Sequence, residues 1–343
     1  MSFNPRNILI IDFGQLGDVV MSLPALRAIR ERFPHARITV AVGRPGAEII
    51  RMSGYADAFV AVDRVGLRDG FKPLSVLRIL QIVKDVRRSQ FDFVIDLHSF
   101  SETNLLGFLS GARKRLFARR PGRSLDFLAN FNPKPPVDKN DPEQHLVDRY
   151  LDVLVPLGIK EPPRVPRLTT RLEDDRAVDA MLRKAKADQG SPLVGLFPGA
   201  GHPGRCWPLE RFAQLADSLL RNDGVRPIVF AGPEERGMVQ RMRALFPPAS
   251  VILDKLSIPQ LAAAQARLAV LVSNDTGPVH LAAAVGTPIV VLIDLPTPHA
   301  YVPLAASQRL IFSQSINTIG VEEVYAATRE LLSAGRTAAL FAS

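Results

Sequence analysis

The chain of 343 residues carries a formal net charge of +9, and 47% of its residues are hydrophobic while 22% are charged. This composition excludes intrinsic disorder, and the length corresponds to about two ordinary domains. The single cysteine excludes an internal disulfide framework and a cysteine-built zinc site, which favours a reducing compartment. The positive charge indicates an anionic partner such as nucleic acid, nucleotide or acidic lipid.

The first half of the chain alternates short apolar runs with amphipathic stretches of helical length. Continuous β-branched runs that end at a turn are typical of buried strands. The predicted strands are 7–12, 37–42, 58–62, 91–97 and 113–117, and the predicted helices are 19–33 and 74–88. Strands that alternate with helices indicate crossover units and a mainly parallel sheet.

Prolines accumulate around residues 161–168, and the periodicity stops there. This predicts an interdomain linker, because proline resists both helix and central strand. The alternation then resumes, with predicted strands at 193–197, 227–231, 268–273 and 288–293 and predicted helices at 209–222, 234–246, 278–285 and 321–334. The sequence therefore predicts two doubly wound α/β domains, 1–165 and 166–343, which bind ligands beyond the carboxyl ends of their strands in a cleft between them.

A glycine-containing turn with a carboxylate follows the first predicted strand. Gly14 and Gly17 allow a tight turn, and Asp18 stands where the strand passes into a helix. The segment lacks both the dinucleotide fingerprint and the ending of a Walker loop. Asp18 is therefore either a catalytic carboxylate or a cap of the helix that begins near Val19, and this stretch alone favours neither.

The loop 197–208 of the second half is rich in glycine and carries one cation, Arg205. Backbone amides together with a guanidinium suit a phosphate, and a loop that follows a strand often carries function. The alternative is a long surface turn in which Trp207 only packs.

A second candidate anion site lies at 273–280, where Pro278 stands near the start of a helix of small residues. Backbone donors and the helix dipole would form this site. The amides that would face the ligand belong to Thr276, Gly277 and Val279. Asp275 and Thr276 could instead only cap the helix, and His280 could be a satisfied, partly buried histidine.

Two further stretches carry weaker signals. Gly232 ends a predicted strand, and Glu234 follows at a position from which an α/β domain could contact a ribose or base. Six basic residues without an intervening acid lie at 113–123, either as a solvated loop or as a surface for lipid phosphates or an anionic sugar. The six histidines are scattered, and no metal-binding or nucleophile-elbow motif is present.

In their order and spacing these stretches resemble the lipopolysaccharide heptosyltransferases, glycosyltransferase family 9. The matching pieces are Gly17 with Asp18, 23–26, 91–97, 197–200 with Trp207, Gly232 with Glu234, and 274–288. The resemblance implies an α/β protein of the GT-B fold, with two Rossmann-like doubly wound domains that face each other across a cleft. It places the acceptor in the first domain and the nucleotide-sugar donor in the second, with a terminal helix that packs back toward the first.

The same resemblance implies an inverting glycosyltransferase that moves a heptose from an ADP-heptose donor to the inner core of lipopolysaccharide. The aspartate that matches Asp18 is the general base, and Arg205 with the helix amides would stabilise the leaving diphosphate. The implied donor-binding residues are Gly199, Trp207, Gly232, Glu234, Asp275, Thr276, Gly277, Pro278 and His280. The implied acceptor-binding residues are Gly17, His98, Arg113, Arg115, Arg119 and Arg120.

Two positions depart from the family pattern: Arg205 replaces a lysine, and 293–298 replaces a turn that contains glycine and threonine. The second departure puts Asp294 near the donor, where a carboxylate repels a diphosphate unless it bonds sugar hydroxyls. One alternative is therefore a transferase of the same family with a different nucleotide-sugar or acceptor. The other is a non-catalytic nucleotide-sugar- or lipid-binding relative, against which the presence of Asp18 and Asp275 argues.

The expected partners are the nucleotide-sugar donor and an anionic lipopolysaccharide-core acceptor at a membrane surface, without a cofactor or an obligatory metal. Nucleic acid is not expected, because the basic residues lack interleaved aromatic residues. The sequence shows no signal peptide and no apolar run long enough to span a bilayer. We therefore expect a cytoplasmic monomer that is peripheral at the inner face of the inner membrane.

Overall fold

The computed structural model describes residues 3–62, 73–187, 190–295 and 297–342. By its internal contacts the chain divides into two compact units, Met1–Pro166 and Arg167–Ser343. Each unit contains one parallel β-sheet that is connected by helices. The predicted α/β class is therefore confirmed.

The sheet of the first unit has five strands in the order β3-β2-β1-β4-β5. These are β1 (Asn7–Asp12), β2 (Arg37–Gly43), β3 (Ala58–Val62), β4 (Phe93–Asp96) and β5 (Lys114–Phe117). In the central strand, Ile11 pairs with Ala41 on one side and with Asp96 on the other. The apolar residues of β1 are almost entirely shielded from solvent, as expected for a strand in a parallel sheet covered on both faces.

The helices described in the first unit are α1 (Leu16–Arg32), α2 (Arg44–Ser53), α3 (Pro73–Arg88), α4 (Ser101–Leu109) and α5 (Leu146–Asp152). The predicted helices 19–33 and 74–88 correspond to α1 and α3 and are confirmed. Helices α2, α4 and α5 are additional to the prediction. The start of α2 contains Pro45 and Gly46, which indicate a turn in sequence although the first turn of a helix tolerates proline.

The second unit has six parallel strands in the order β11-β10-β9-β6-β7-β8. These are β6 (Leu193–Phe197), β7 (Arg226–Phe230), β8 (Val251–Leu253), β9 (Val270–Asn274), β10 (Ile289–Asp294) and β11 (Gln308–Ser313). Counted within the unit, this is the strand order of a dinucleotide-binding Rossmann sheet. Strands β8 and β11 are additional to the prediction.

The helices described in the second unit are α6 (Leu172–Lys184), α7 (Leu209–Asp223), α8 (Val239–Leu245), α9 (Ile258–Gln265), α10 (Gly277–Ala284) and α11 (Val321–Ala342). The predicted helix 234–246 begins too early, because a 3-10 turn at Arg236–Met238 precedes α8. Helices α6 and α9 are also additional to the prediction.

Apolar clusters cover both faces of the second sheet. Consecutive residues of β6, Leu196 and Phe197, belong to different clusters, as the alternation of side chains along a strand requires. Helix α11 contributes Val324 and Leu331 to the cluster that contains Trp207. Its buried half therefore belongs to the second unit's core, and packing of its end toward the first domain stays a prediction.

None of the helices in the described ranges is both long enough and apolar enough to cross a membrane.

Candidate active site

Each sheet has one place where the order of strands reverses: β1 beside β4 in the first unit, and β6 beside β9 in the second. Ligands of doubly wound sheets bind outside the carboxyl ends of the strands at such a switch point. The motifs singled out in the sequence follow β1, β6 and β9 directly. The topology therefore places them where ligands are expected.

Asp18 lies in the first turn of α1, directly after the switch point of the first unit. The helix begins at Leu16, so Asp18 is its third residue. The N-cap, a role that the sequence left open for Asp18, is Gln15. Asp18 Oδ2 accepts a hydrogen bond from the backbone N–H of Gln15 at 2.9 Å. The side chain is half-buried. This capping contact does not exclude catalysis, because a carboxylate has several further acceptor positions.

Asp12, the last residue of β1, holds the turn that leads to Asp18. It is fully buried, and its Oδ1 accepts a hydrogen bond from the N–H of Gly14 at 3.0 Å. A Cβ atom on Gly14 would lie 2.4 Å from Cβ of Asp18, so a larger residue would displace the turn. Burial raises the pKa of Asp12 to about 6, and the negative charge of Asp18 also raises it. Hydrogen bonds from Ser22 and Gly14 and the positive charge of Arg120 lower the pKa and offset part of this shift.

The end of β4 carries a second buried carboxyl group, Asp96. Its two oxygens accept hydrogen bonds from the N–H of Ser99 and from Nδ2 of Asn104, both at 2.7 Å. Burial raises the pKa of Asp96 to about 7 against these hydrogen bonds. His98 Nδ1 lies 3.9 Å from Asp12 Oδ1, so His98 and the two strand ends form one buried polar cluster. His98 is among the site residues predicted from the sequence, whereas Asp12 and Asp96 are not.

Titration of Asp96 should make the fold less stable as the pH rises. A carboxyl group whose pKa is raised by folding contributes stability below its unfolded value of 3.8, and this is lost as the pH passes about 7. Asp96→Asn removes the titration and keeps the shape. When the pH is raised from about 5 to about 8, the Tm of the wild type should therefore decrease relative to the Tm of Asp96→Asn. Thermal unfolding at both pH values measures this, and a difference that does not change with pH would contradict it.

The predicted acceptor-binding residues have different surroundings. Gly17 is buried in the first turn of α1, and Arg113 is exposed just before β5. Arg120 extends inward: its Nη1 donates to the carbonyl oxygen of His98 at 2.7 Å, and its Nε lies 3.2 Å from Asp138 Oδ2. The cation therefore braces the segment that follows β4.

Arg115 and Arg119 also have partners within the first unit. Arg115 donates to the carbonyl oxygens of Ala112 at 2.7 Å and Leu128 at 2.9 Å. Arg119 Nε lies 3.6 Å from Asp126 Oδ2. Some arginines of the basic stretch therefore bond to groups of the first unit, while others are exposed to solvent. Acceptor binding by these residues stays a prediction.

One buried amide side chain fixes the loop that follows β6. Asn274 Oδ1 accepts a hydrogen bond from the N–H of Trp207 at 3.0 Å, and its Nδ2 donates to the carbonyl oxygen of Pro198 at 2.8 Å. The Trp207 side chain is buried, and its Nε1 donates to the carbonyl oxygen of Ile319. Donor binding by the indole is therefore corrected to the alternative: Trp207 packs and anchors the loop.

The buried carboxylate after β7 belongs to Glu235 and not to Glu234, the residue predicted from the sequence. Glu234 is exposed, whereas Glu235 Oε2 accepts a hydrogen bond from the N–H of Gly232 at 2.8 Å. A Cβ atom on Gly199 would lie 2.1 Å from Glu235 Oε1, so the loop after β6 passes directly over this carboxylate. Burial raises the pKa of Glu235 against the hydrogen bond from Gly232. Glu235 stands three residues after Gly232, so its carboxylate can close the turn onto the Gly232 N–H. This spacing is the sequence signal that could have found it.

The N-terminus of α10 follows β9 as predicted. Thr276 is the N-cap residue, and its side chain makes no capping hydrogen bond. The N–H of Val279 donates to the carbonyl oxygen of Thr276 at 3.1 Å, so its predicted role as a free donor is wrong. Thr276 and Gly277 are half-buried, while His280 is buried within the helix.

Arg205 lies next to two carboxylates at the end of the second sheet. Its Nη2 donates to Thr297 Oγ1 at 2.5 Å, and its Nε lies 3.7 Å from Asp294 Oδ1. Thr297 Oγ1 in turn lies 2.8 Å from Asp294 Oδ1. Burial raises the pKa of Asp275. The positive charge of Arg205 lowers this pKa, whereas the negative charge of Asp294 raises it further. The unexpected Asp294 is thus balanced by the cation on which diphosphate binding would depend.

Within the described part of the chain, no group of three or more histidine, cysteine, aspartate or glutamate side chains is placed to hold a metal ion. Metal-independent binding stays a prediction. At the second switch point, the start of α10 and the guanidinium of Arg205 can bind an anion. The Glu235 carboxylate can accept hydrogen bonds from hydroxyl groups.

Comparison with protein-family models gives a match to glycosyltransferase family 9 (heptosyltransferase) over residues 79–326. Among individual proteins, the chain is similar to lipopolysaccharide heptosyltransferase 3 of Escherichia coli. The two are 22% identical over 282 residues, which cover 80% of each chain.

Solved structures show the same fold. A glycosyltransferase of family 9 from Veillonella parvula superposes with a TM-score of 0.85 at 24% identity, covering 97% of this chain and 98% of its own. The E. coli heptosyltransferase WaaC, solved with ADP, superposes with a TM-score of 0.76 at 21% identity, covering 95% and 99%. The neighbours confirm the predicted GT-B architecture of two Rossmann-like domains.

Proposed function

Since this chain belongs to glycosyltransferase family 9, the heptosyltransferases, and is thereby a glycosyltransferase, we propose that it moves a heptose from ADP-heptose to the inner core of lipopolysaccharide with inversion. The observation that carries the proposal is the second switch point, where a helix N-terminus, Arg205 and a buried glutamate follow neighbouring strands. A structural relative that was solved with ADP supports an adenine nucleotide.

Asp18 is the proposed general base. Inversion at the anomeric carbon requires that the acceptor hydroxyl attack from the face opposite the leaving group, while a carboxylate takes its proton. Asp18 is half-buried, and the Gln15 N–H holds one of its oxygens in place. The buried Asp12 fixes the adjoining turn through Gly14.

The donor diphosphate is proposed to bind at the start of α10. The amides of Thr276 and Gly277 and the helix dipole attract an anion, and Arg205 would neutralise charge that develops on the leaving group. Asp275 and Asp294 are acidic neighbours of Arg205. The cation is therefore essential, because without it the site would be net negative where a diphosphate must bind.

Glu235 replaces Glu234 as the proposed partner of the donor's ribose. Its carboxylate is held by the N–H of Gly232 and lies against Gly199. A carboxylate fixed in this way can accept hydrogen bonds from the paired hydroxyls of a ribose. Pro278 and His280 are proposed to shape the same site.

Calorimetric titration with ADP and UDP in the presence of a chelator tests the donor half of the proposal. We expect binding of ADP in preference to UDP without metal. Preference for UDP would keep the fold and move the function to another sugar. Binding of neither nucleotide would favour the non-catalytic alternative.

Gly199→Ala should weaken ADP binding by about tenfold, because the added methyl group would overlap Glu235 Oε1 and push the carboxylate or the loop aside. Gly201→Ala is the matched control, since a Cβ atom on Gly201 meets nothing within 4 Å. The same titration measures both variants. Equal affinities for the two would contradict the assignment of Glu235.

Asp294 supports a second candidate, a family member that uses a different sugar or acceptor. Its carboxylate is paired with Arg205 and Thr297, so it does not by itself prevent diphosphate binding. It can also accept hydrogen bonds from sugar hydroxyls, which would select a particular donor. For either candidate we propose an anionic, lipid-linked acceptor and action at the cytoplasmic face of the inner membrane.

A further inference from the structure

Three large apolar side chains lie exposed along one edge of the first unit. Leu105 and Phe108 stand on the outer face of α4, and Phe127 stands in the 3-10 turn at Asp126–Leu128. Their exposed fractions are 46%, 44% and 73%. Single exposed apolar residues are ordinary on a protein surface, whereas a contiguous group rimmed by polar residues marks an interaction site.

Hydrogen bonds place the segment 123–128 alongside α4. Ser101 Oγ donates to the carbonyl oxygen of Arg123, and Asn104 Oδ1 accepts from the N–H of Leu125 at 2.8 Å. These contacts advance together along the helix and the segment. Phe127 therefore emerges beside the helix that carries Leu105 and Phe108.

Arg115 ties the far end of this surface together. Its Nε donates to the carbonyl oxygen of Leu128 at 2.9 Å, while its guanidinium lies 5.3 Å from the ring centroid of Phe108. Leu128 and Phe108 are thus neighbours of the same cation. The exposed side chains Leu105, Phe108 and Phe127, which we call the α4 patch, are therefore carried by two adjacent segments of the first unit.

Positive charge predominates in the segments that carry the α4 patch. Between residues 101 and 128 the chain carries six basic side chains and two acidic ones, Glu102 and Asp126. Arg113, Lys114 and Arg123 are exposed, and Asp126 is paired with Arg119. An anion that approaches this edge would therefore meet several cations around an apolar centre.

We propose that the α4 patch docks the protein on an anionic lipid bilayer. Apolar side chains of this kind insert at the boundary between headgroups and acyl chains, while flanking arginines and lysines pair with lipid phosphates. A second copy of this chain fits the patch less well, because it would bring two basic rims together. The apolar residues of the patch lie outside the residues proposed to bind donor or acceptor or to act as base, although the nearby arginines include predicted acceptor-binding residues. The inference therefore adds a membrane contact to the proposed function.

Co-sedimentation with vesicles tests the docking surface. We expect the wild type to bind vesicles of equimolar phosphatidylcholine and phosphatidylglycerol, to bind pure phosphatidylcholine weakly, and to lose binding as salt is raised. Phe127→Ser combined with Leu105→Ser should lower the partition coefficient at least about tenfold. Both positions are exposed, so unchanged thermal unfolding would show that the fold is intact.

Leu172→Ser is the matched control, because Leu172 is an equally large apolar side chain, 64% exposed, in the second unit. It should bind anionic vesicles as the wild type does. An equal loss in this variant, or no loss in the double variant, would overturn the proposal. A dimer that the double variant abolishes, without vesicle binding by the wild type, would overturn it in favour of a contact between copies.

Transfer assays separate this proposal from the proposed function. The double variant should transfer sugar to a delipidated core oligosaccharide as well as the wild type does, and should lose activity on the same acceptor embedded in vesicles. Failure of the proposed function would abolish transfer to both acceptors and leave vesicle binding unchanged. Equal activity of the variant and the wild type on embedded acceptor would count against the α4 patch alone.

Discussion

Asp18→Asn should lower kcat for sugar transfer by about 10²–10⁴-fold and leave the affinity for ADP unchanged. Asparagine removes the base but keeps an oxygen that can accept the hydrogen bond from Gln15, so α1 should begin at the same residue. The large effect follows because no other carboxylate is proposed to reach the acceptor hydroxyl. Steady-state kinetics with saturating donor and acceptor measures the loss.

A purely structural role of Asp18 would give a different result. Loss of its contact with the first turn of α1 would lower Tm, and a lower Tm would account for a modest decrease in activity. Thermal unfolding of Asp18→Asn is therefore the control. Retention of more than about a tenth of the wild-type kcat would contradict the assignment of Asp18 as base.

Arg205→Ala should lower kcat/KM for the donor by about 10²–10³-fold. The substitution removes the cation that faces Asp294 and Asp275, and both carboxylates then repel the diphosphate. Arg205→Lys should recover part of the loss, because it keeps the charge but not the planar fork that bonds Thr297. Donor titration at saturating acceptor measures both variants.

Arg241→Ala provides the matched control for loss of one positive charge. Arg241 lies on α8 in the same unit and pairs with Glu210, away from Asp275 and Asp294. It should leave kcat/KM close to the wild-type value. Equal losses in Arg205→Ala and Arg241→Ala would show that net charge, and not a local contact, supports the donor.

The sheet cores were the part of the fold that sequence could predict. Strands β1, β6 and β10 are continuous runs of buried apolar residues bounded by turns, which is a strong signal for parallel strands. By contrast β8 has three residues, and the edge strand β11 has a single buried residue, Ile311, among its six. Neither gives a run long enough to separate it from a loop.

The candidate site was predicted in part. Asp18, Arg205 and Asp275 could be singled out because each follows a predicted strand within a glycine-containing turn. Asp12 and Asp96 could not, because nothing in their type or spacing reveals that a carboxyl group is buried at the end of a central strand.

Neighbouring positions show the same limit. Glu234 and Glu235 are chemically identical, and only the turn that begins at Gly232 determines which of them is buried. Trp207 and Arg205 lie two residues apart in one loop, yet the indole enters the core while the guanidinium reaches Thr297. Tertiary packing makes these choices, and of the two only the choice of Glu235 leaves a trace in the sequence, its spacing from Gly232.

The structure of the reaction product is the most direct test of inverting heptose transfer by this protein. Purified protein would be incubated with ADP-heptose and a heptose-free inner-core acceptor, and the product analysed by mass spectrometry and NMR. We expect the addition of one heptose with an anomeric configuration opposite to that of the donor. Retention of configuration, or the absence of product from a protein that binds ADP, would contradict it.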